Sequence, residues 1–128
     1  MSKKYIYGVK NIDMIVNNRP LFYLKFNDKN NIKDEWDFFQ SMNIEKNRVL
    51  FSLELSNTNF NNIKNKLLYY INKYNYVGNA SEYYYEEIVS NENIKYNDLN
   101  VNMIEKYLLD NEVEYTKLSQ EDFNKLIC

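Results

Sequence analysis

Apolar and polar side chains alternate along much of the first 27 residues, and this period of two constrains the fold more than any other feature. Alternation is typical of half-buried strands, whose successive side chains point to opposite faces of a sheet. Asn17, Asn18 and Pro20 favour a turn, because asparagine tolerates left-handed backbone and proline fixes φ. We therefore predict a hairpin in which residues 11–17 pair with residues 21–27. The alternating residues are Tyr5, Tyr7, Val9, Ile12, Met14, Val16, Phe22, Leu24 and Phe26.

A short helix over 32–42 is predicted next, with Asn30 or Asn31 as its cap. Three acidic residues in or near its first turn favour this start, because the helix dipole stabilises negative charge there. Trp36 and Phe39 would form its buried side. The three acidic residues are Asp34, Glu35 and Asp37.

Residues 48–55 are predicted to form the next strand, with four apolar residues on one face. Leu50 is apolar on the other face as well, which is typical of a strand at the centre of a sheet. The four residues predicted to share a face are Val49, Phe51, Leu53 and Leu55.

The clearest helix follows, because apolar residues recur at steps of three and four and make one stripe. Ser56, Asn57 or Thr58 can cap it. No acidic residue lies between positions 60 and 74. The stripe consists of Phe60, Ile63, Leu67, Tyr70, Ile71 and Tyr74.

Four elements complete the prediction: a strand over 83–89, a helix over 98–110, a strand over 112–118 and a last short helix. Asn97 or Asp98 would cap the first of these helices, with Val101, Ile104 and Leu108 inward. The second helix would begin at residues 119–122, which resemble a capping box with Asp122 in place of the usual glutamate. It carries Phe123, Leu126 and Ile127. Strands come first, and strands and helices then alternate. This order predicts one α+β domain over 1–128, built on a single sheet.

The chain contains no histidine, two glycines and one cysteine. A Ser-His-Asp or Cys-His nucleophile needs an imidazole, and zinc needs cysteine or histidine ligands. Phosphate-binding loops need neighbouring glycines, whereas Gly8 and Gly78 stand alone. We therefore expect a non-enzymatic protein with no cofactor and no metal. We interpret the remaining acidic clusters as solvated charge at a helix N-terminus and on a strand.

The net charge and the hydropathy of the chain exclude further classes of partner. The net charge is −2, and Arg19 and Arg48 are the only arginines, so general DNA binding is not expected. The chain has no apolar run long enough for a membrane helix or a signal peptide, and Cys128 has no cysteine to pair with, which together indicate a cytoplasmic protein. More than half of the residues are of types with AT-rich codons, which points to a low-GC bacterium or its phage.

Two surfaces are candidates for binding. Tyr83, Tyr84 and Tyr85 precede Glu86 and Glu87, and in a strand at least one of these tyrosines must face solvent or a partner. Tyrosine favours interfaces because it combines a large rigid ring with a polar tip. With the adjacent acids, this surface would suit a basic partner.

The second surface lies on the clearest helix, where lysines alternate with aromatic rings. Lysines could contact phosphates while the rings stack on bases. A plain solvated helix face is the alternative. The residues of this candidate are Lys64, Lys66, Tyr69, Lys73 and Tyr76.

These observations favour a non-enzymatic inhibitor from a phage or mobile element, which blocks a host protein or ribonucleoprotein of a defence system, as anti-CRISPR proteins do. The alternatives are a protein that sequesters a nucleotide-like signal and an immunity or antitoxin protein. Edge strands and tyrosine-rich faces also favour a homodimer.

Overall fold

The strands and helices follow the predicted order. A computed structural model of the chain describes residues 3–11, 21–27, 31–42, 47–55, 59–71, 83–85 and 101–127. Neighbouring strands pair antiparallel in one sheet of order β4-β2-β1-β3-β5, which confirms the α+β class. The elements are β1 (Lys4–Asn11), β2 (Leu21–Asn27), α1 (Ile32–Met42), β3 (Asn47–Leu55), α2 (Phe60–Ile71), β4 (Tyr83–Tyr85), α3 (Val101–Asp110), β5 (Tyr115–Leu118) and α4 (Gln120–Ile127).

The predicted hairpin has the right second strand and the wrong first one. β2 pairs with β1, which places Tyr5 opposite Asn27 and Val9 opposite Tyr23, and its other side pairs with β4. The partner of 21–27 is therefore Lys4–Asn11 rather than 11–17. Two alternating runs precede the turn, and a shared period of two cannot decide which of them pairs. Residues 12–20 lie outside the described residues.

A β-bulge interrupts the pairing of β1 with β3. Gly8 lies opposite Phe51 and Val9 lies opposite Val49, so Leu50 is the extra residue on β3. A bulge reverses the inward and outward alternation beyond it. The prediction that Val49 shares a face with Phe51 is therefore wrong. Leu50 is 37% exposed and does not bury a second face, although β3 does lie inside the sheet.

Helices cover both faces of the sheet, so the protein has three layers. On the first face the core combines strand residues with α2 and α3; on the second it combines them with α1 and α4. The first core contains Ile6, Phe22, Leu24, Phe51, Leu53, Leu55, Phe60, Leu67, Ile71, Ile104 and Leu108. The second contains Tyr5, Tyr7, Val9, Ile32, Trp36, Val49 and Phe123.

A polar contact and an aromatic cluster hold α1 against the second face. The hydroxyl of the fully buried Tyr7 donates to Glu35 Oε1, and Asn27 Nδ2 donates to Glu35 Oε2 at 3.2 Å. The rings of Tyr7 and Trp36 both pack on Phe123 of α4, with centroids 5.5 and 5.6 Å away. Trp36 is thus buried as predicted, while the side chain of Phe39 is outside the described part.

Two of the predicted helix caps are confirmed and one is wrong. Asn31 Oδ1 accepts from Lys33 N at 2.8 Å, and Ser119 Oγ accepts from Asp122 N at 3.0 Å, which confirms both predicted caps. Helix α2 begins at Phe60, so Asn59 takes the cap position, and its carbonyl accepts from Ile63 N. The predicted caps at 56–58 were placed too early, because several consecutive polar residues suit that position equally.

Gly8 leaves room for an aromatic ring at the centre of the sheet. A Cβ atom built on Gly8 would lie 2.5 Å from Cε1 of Phe51, closer than van der Waals contact allows. The Phe51 ring also packs edge-on against Phe22, with centroids 6.0 Å apart. The ring cannot move away from a new methyl group without disturbing this packing.

Gly8→Ala should destabilise the protein by about 1–3 kcal/mol, because the added methyl overpacks the Phe51 ring. Urea denaturation gives the free energy of unfolding. In the Gly8→Ala/Phe51→Leu double variant the clash is relieved, so its destabilisation should be smaller than the sum of the two single changes. Additive effects would contradict this account of Gly8.

Candidate functional site

Helix α3 separates two surface grooves. It packs on the first face of the sheet through Ile104 and Leu108, both fully buried. Each of its two flanks lines a groove, one beside α2 and the other beside β5. We name the first the tyrosine groove and the second the acidic groove.

The tyrosine groove is open to solvent and has a volume of about 570 Å³. The Tyr70 and Tyr107 rings pack across it with centroids 5.2 Å apart and planes tilted by 30°. Tyr69 is 88% exposed and Tyr70 is 43% exposed. Burial raises the pKa of Tyr107 above its ordinary value. The residues that line this groove are Asn65, Lys66, Tyr69, Tyr70 and Tyr107.

Helix geometry brings the α2 residues of this groove together. Lys66 lies three residues before Tyr69 and four before Tyr70, so one face of the helix carries all three side chains. The structure thus unites Lys66 and Tyr69, two of the five residues predicted for this surface. Lys64 lies apart from them, with its Nζ 5.6 Å from the ring centroid of Phe26. Lys73 and Tyr76 lie outside the described residues.

Sequence reasoning missed two tyrosines of the groove. It assigned Tyr70 to the buried stripe of α2, but almost half of this side chain is exposed. It assigned no role to Tyr107, which packs on Tyr70 from α3. The period of an amphipathic helix places Tyr70 at the margin of the apolar stripe, and margin residues contact whatever neighbouring helix the fold supplies. That neighbour is not visible from local sequence.

The acidic groove, between α3 and β5, is open to solvent and has a volume of about 770 Å³. Tyr115 OH donates to Glu105 Oε1 at 3.1 Å, and Lys117 Nζ lies 3.7 Å from Glu105 Oε2. These contacts fix Glu105, whereas Glu112 and Glu114 are exposed. The residues that line this groove are Glu105, Leu109, Glu112, Val113, Glu114, Tyr115, Thr116 and Lys117.

An exposed leucine lies among these charges. Leu109 is 64% exposed and belongs to the lining of the acidic groove. Three carboxylates and one ammonium group share that lining, so its net charge is negative at neutral pH. An apolar side chain inside a charged border resembles the core and rim of a protein interface. Sequence reasoning did not identify this groove, because it forms only where β5 returns beside α3.

The pKa of Tyr115 is raised above its ordinary value of 10.0. Burial is the largest cause, followed by the hydrogen bond to Glu105 and by the negative charge of Glu105. All three favour the neutral hydroxyl. Tyr115 therefore keeps its proton and continues to donate to Glu105 at neutral pH.

The turn after α3 determines the position of Glu112. Val113 N donates to Leu108 O at 2.9 Å and Glu112 N donates to Leu109 O at 3.1 Å, which is the Schellman arrangement at a helix end. Glu112 takes the left-handed position, with φ of 57°, where glycine is usual. The predicted strand over 112–118 therefore begins only at Tyr115, because this turn occupies its first residues.

The other predicted surface is described only in part. Tyr83–Tyr85 form β4 at the edge of the sheet opposite β5, with Tyr84 across from Phe22. The side chains of these tyrosines, and Glu86 and Glu87 entirely, lie outside the described residues. A contact surface over 83–87 stays a prediction.

Within the described residues, no three acidic or cysteine side chains come together as metal ligands could. None of the helices in the described part is long and apolar enough to cross a membrane.

Glu112→Gly should stabilise the protein by about 0.5–1 kcal/mol, since glycine adopts left-handed backbone without the Cβ penalty. Glu112→Ala is the matched control, because it removes the same carboxylate and keeps the penalty. Urea denaturation compares the two variants. Equal stabilities would show that backbone strain at this turn is negligible.

Tyr115→Phe should make stability less sensitive to alkaline pH. In the wild type the raised pKa contributes stability that is present below about pH 10 and is lost as pH rises through the pKa of the folded protein. The pKa values of Tyr5 and Tyr107 are raised as well. The variant should therefore still lose part of its stability at alkaline pH. Urea denaturation at about pH 8 and about pH 11 measures it. An unchanged pH dependence in Tyr115→Phe would contradict this prediction.

No protein-family model, no curated protein and no solved structure matches this chain.

Proposed function

We propose that this chain is a non-enzymatic binding protein that blocks a basic surface of a larger complex through its acidic groove. Its favoured form is an inhibitor carried by a phage or mobile element, acting in the cytoplasm on a host defence complex. The positively charged channel that holds nucleic acid in such a complex is the surface it would occlude.

One observation carries the proposal: Leu109, 64% exposed, lies in a groove lined by three carboxylates. A leucine that is mostly exposed adds little to the core, whereas complete burial at an interface would stabilise the complex by up to about 1.5–3 kcal/mol. Glu112 and Glu114 border it and would attract lysine and arginine on a partner. Tyr115 adds an aromatic ring that is held in place by Glu105.

Composition supports binding rather than catalysis. The chain offers no imidazole for acid-base chemistry. In the acidic groove the one carboxylate that is fixed in position, Glu105, is engaged by Tyr115 and Lys117. The AT-rich coding signature supports an origin in a low-GC bacterium or its phage.

The predicted surface at Tyr83–Glu87 would extend the same contact. β4 and β5 are opposite edges of a five-stranded sheet, which at about 4.8 Å per strand places them about 19 Å apart. A single basic channel could contact tyrosine and acid at both edges. This second contact depends on side chains beyond the described part.

Glu114→Lys should weaken binding to the blocked complex about ten-fold or more, because like charges then face each other. The tagged protein is used for affinity capture from lysates of low-GC bacteria that carry defence complexes, and binding to the captured complex is then titrated. Leu109→Ser should weaken binding as well, through loss of the apolar contact.

Asp37→Lys is the matched control, since it makes the same charge change at an exposed site on α1, across the sheet from α3. It should bind like the wild type. A Tyr84→Ala/Glu86→Ala double variant tests the other sheet edge in the same assay. If Glu114→Lys and Leu109→Ser bind as tightly as Asp37→Lys, the acidic groove is not the contact surface.

A further inference from the structure

We propose that the tyrosine groove binds a free nucleotide, with the base stacked on Tyr69 and the phosphate beside Lys66. This groove lies on the opposite flank of α3 from the acidic groove. The proposal therefore does not depend on the blocking function, and the two can fail separately.

The rings provide the stacking surface. The Tyr70 and Tyr107 pair, with centroids 5.2 Å apart, fixes the wall between α2 and α3. Tyr69, next to Tyr70 on α2, is 88% exposed. A tyrosine ring that is largely open to solvent is suited to a flat aromatic ligand, and stacking of one base is worth about 1–3 kcal/mol.

The charge of the groove selects an anion. Lys66 is the one charged residue among the described residues that line the groove. Helix α2 contains no acidic residue over its length Phe60–Ile71. A phosphate beside Lys66 would therefore meet a cation without a neighbouring carboxylate on the same helix.

The groove also has the size and the polar groups that a nucleotide requires. Its volume of about 570 Å³ lies within the usual range for small-molecule sites, roughly 300–1,000 Å³. Asn65 precedes Lys66 and lines the same groove. Its amide carries both a donor and an acceptor, which matches the edge of a nucleobase.

A free nucleotide fits better than a nucleic-acid strand. Proteins that bind single strands follow the backbone with a positively charged groove. Here the lining offers a single lysine, and the acidic groove on the other flank of α3 would repel an extended polyanion. One base and one phosphate group match what the described residues offer.

Isothermal titration calorimetry with AMP, GMP, CMP and UMP tests the proposal. At least one should bind with Kd below about 1 mM. Tyr69→Ala should weaken that binding about ten-fold, and Tyr69→Phe should restore it, because the ring rather than the hydroxyl stacks. The high exposure of Tyr69 means that its truncation leaves the core intact, which circular dichroism verifies.

Lys66→Gln tests the contribution of the phosphate contact separately from that of base stacking. It should weaken binding of the nucleotide and leave binding of the corresponding nucleoside unchanged, while Lys33→Gln on α1 serves as the control for an exposed lysine. No heat with any of the four nucleotides, or equal affinity in Tyr69→Ala, would overturn the proposal. Much tighter binding of a mixed-sequence oligonucleotide than of any nucleotide would overturn it too, in favour of a strand.

Discussion

The contact between Gly8 and Phe51 is the constraint on which the rest of the structure depends. Gly8 makes room for the Phe51 ring at the point where the β1–β3 register shifts. The shift sends Val49 to one face and Phe51 to the other, so β3 contributes to both cores. Helices pack on each side, and α3 in the layer on the first face lines both grooves.

The sequence predicted the elements better than their pairing. Period-two and helical patterns identified β1, β2, β3 and all four helices, because these periods depend only on neighbouring residues. The caps at Asn31 and Ser119 were also visible, since a cap is a local interaction. The partner of β2 and the bulge at Leu50 were not visible, because strand register depends on residues far apart in the chain.

The candidate site shows the same division. Of the five residues that the sequence grouped on one helix, Lys66 and Tyr69 both line the tyrosine groove. Tyr70 and Tyr107 meet only because α2 and α3 pack side by side. The acidic groove combines α3, a Schellman turn and an edge strand. No local sequence pattern predicts that these three elements come together. Within that turn, Glu112 takes a left-handed position at which glycine is usual, so the residue type there gave no signal of where the helix ends.

Helix α3 is a wall of both grooves, with Tyr107 on one flank and Glu105 and Leu109 on the other. Because the same ten-residue helix lines both grooves, a ligand that shifted it in one groove would also change the shape of the other. If both grooves bind ligands, thermodynamic linkage requires each ligand to change the affinity of the other by the same factor. Occupancy of the tyrosine groove would then change the affinity of the acidic groove for its ligand.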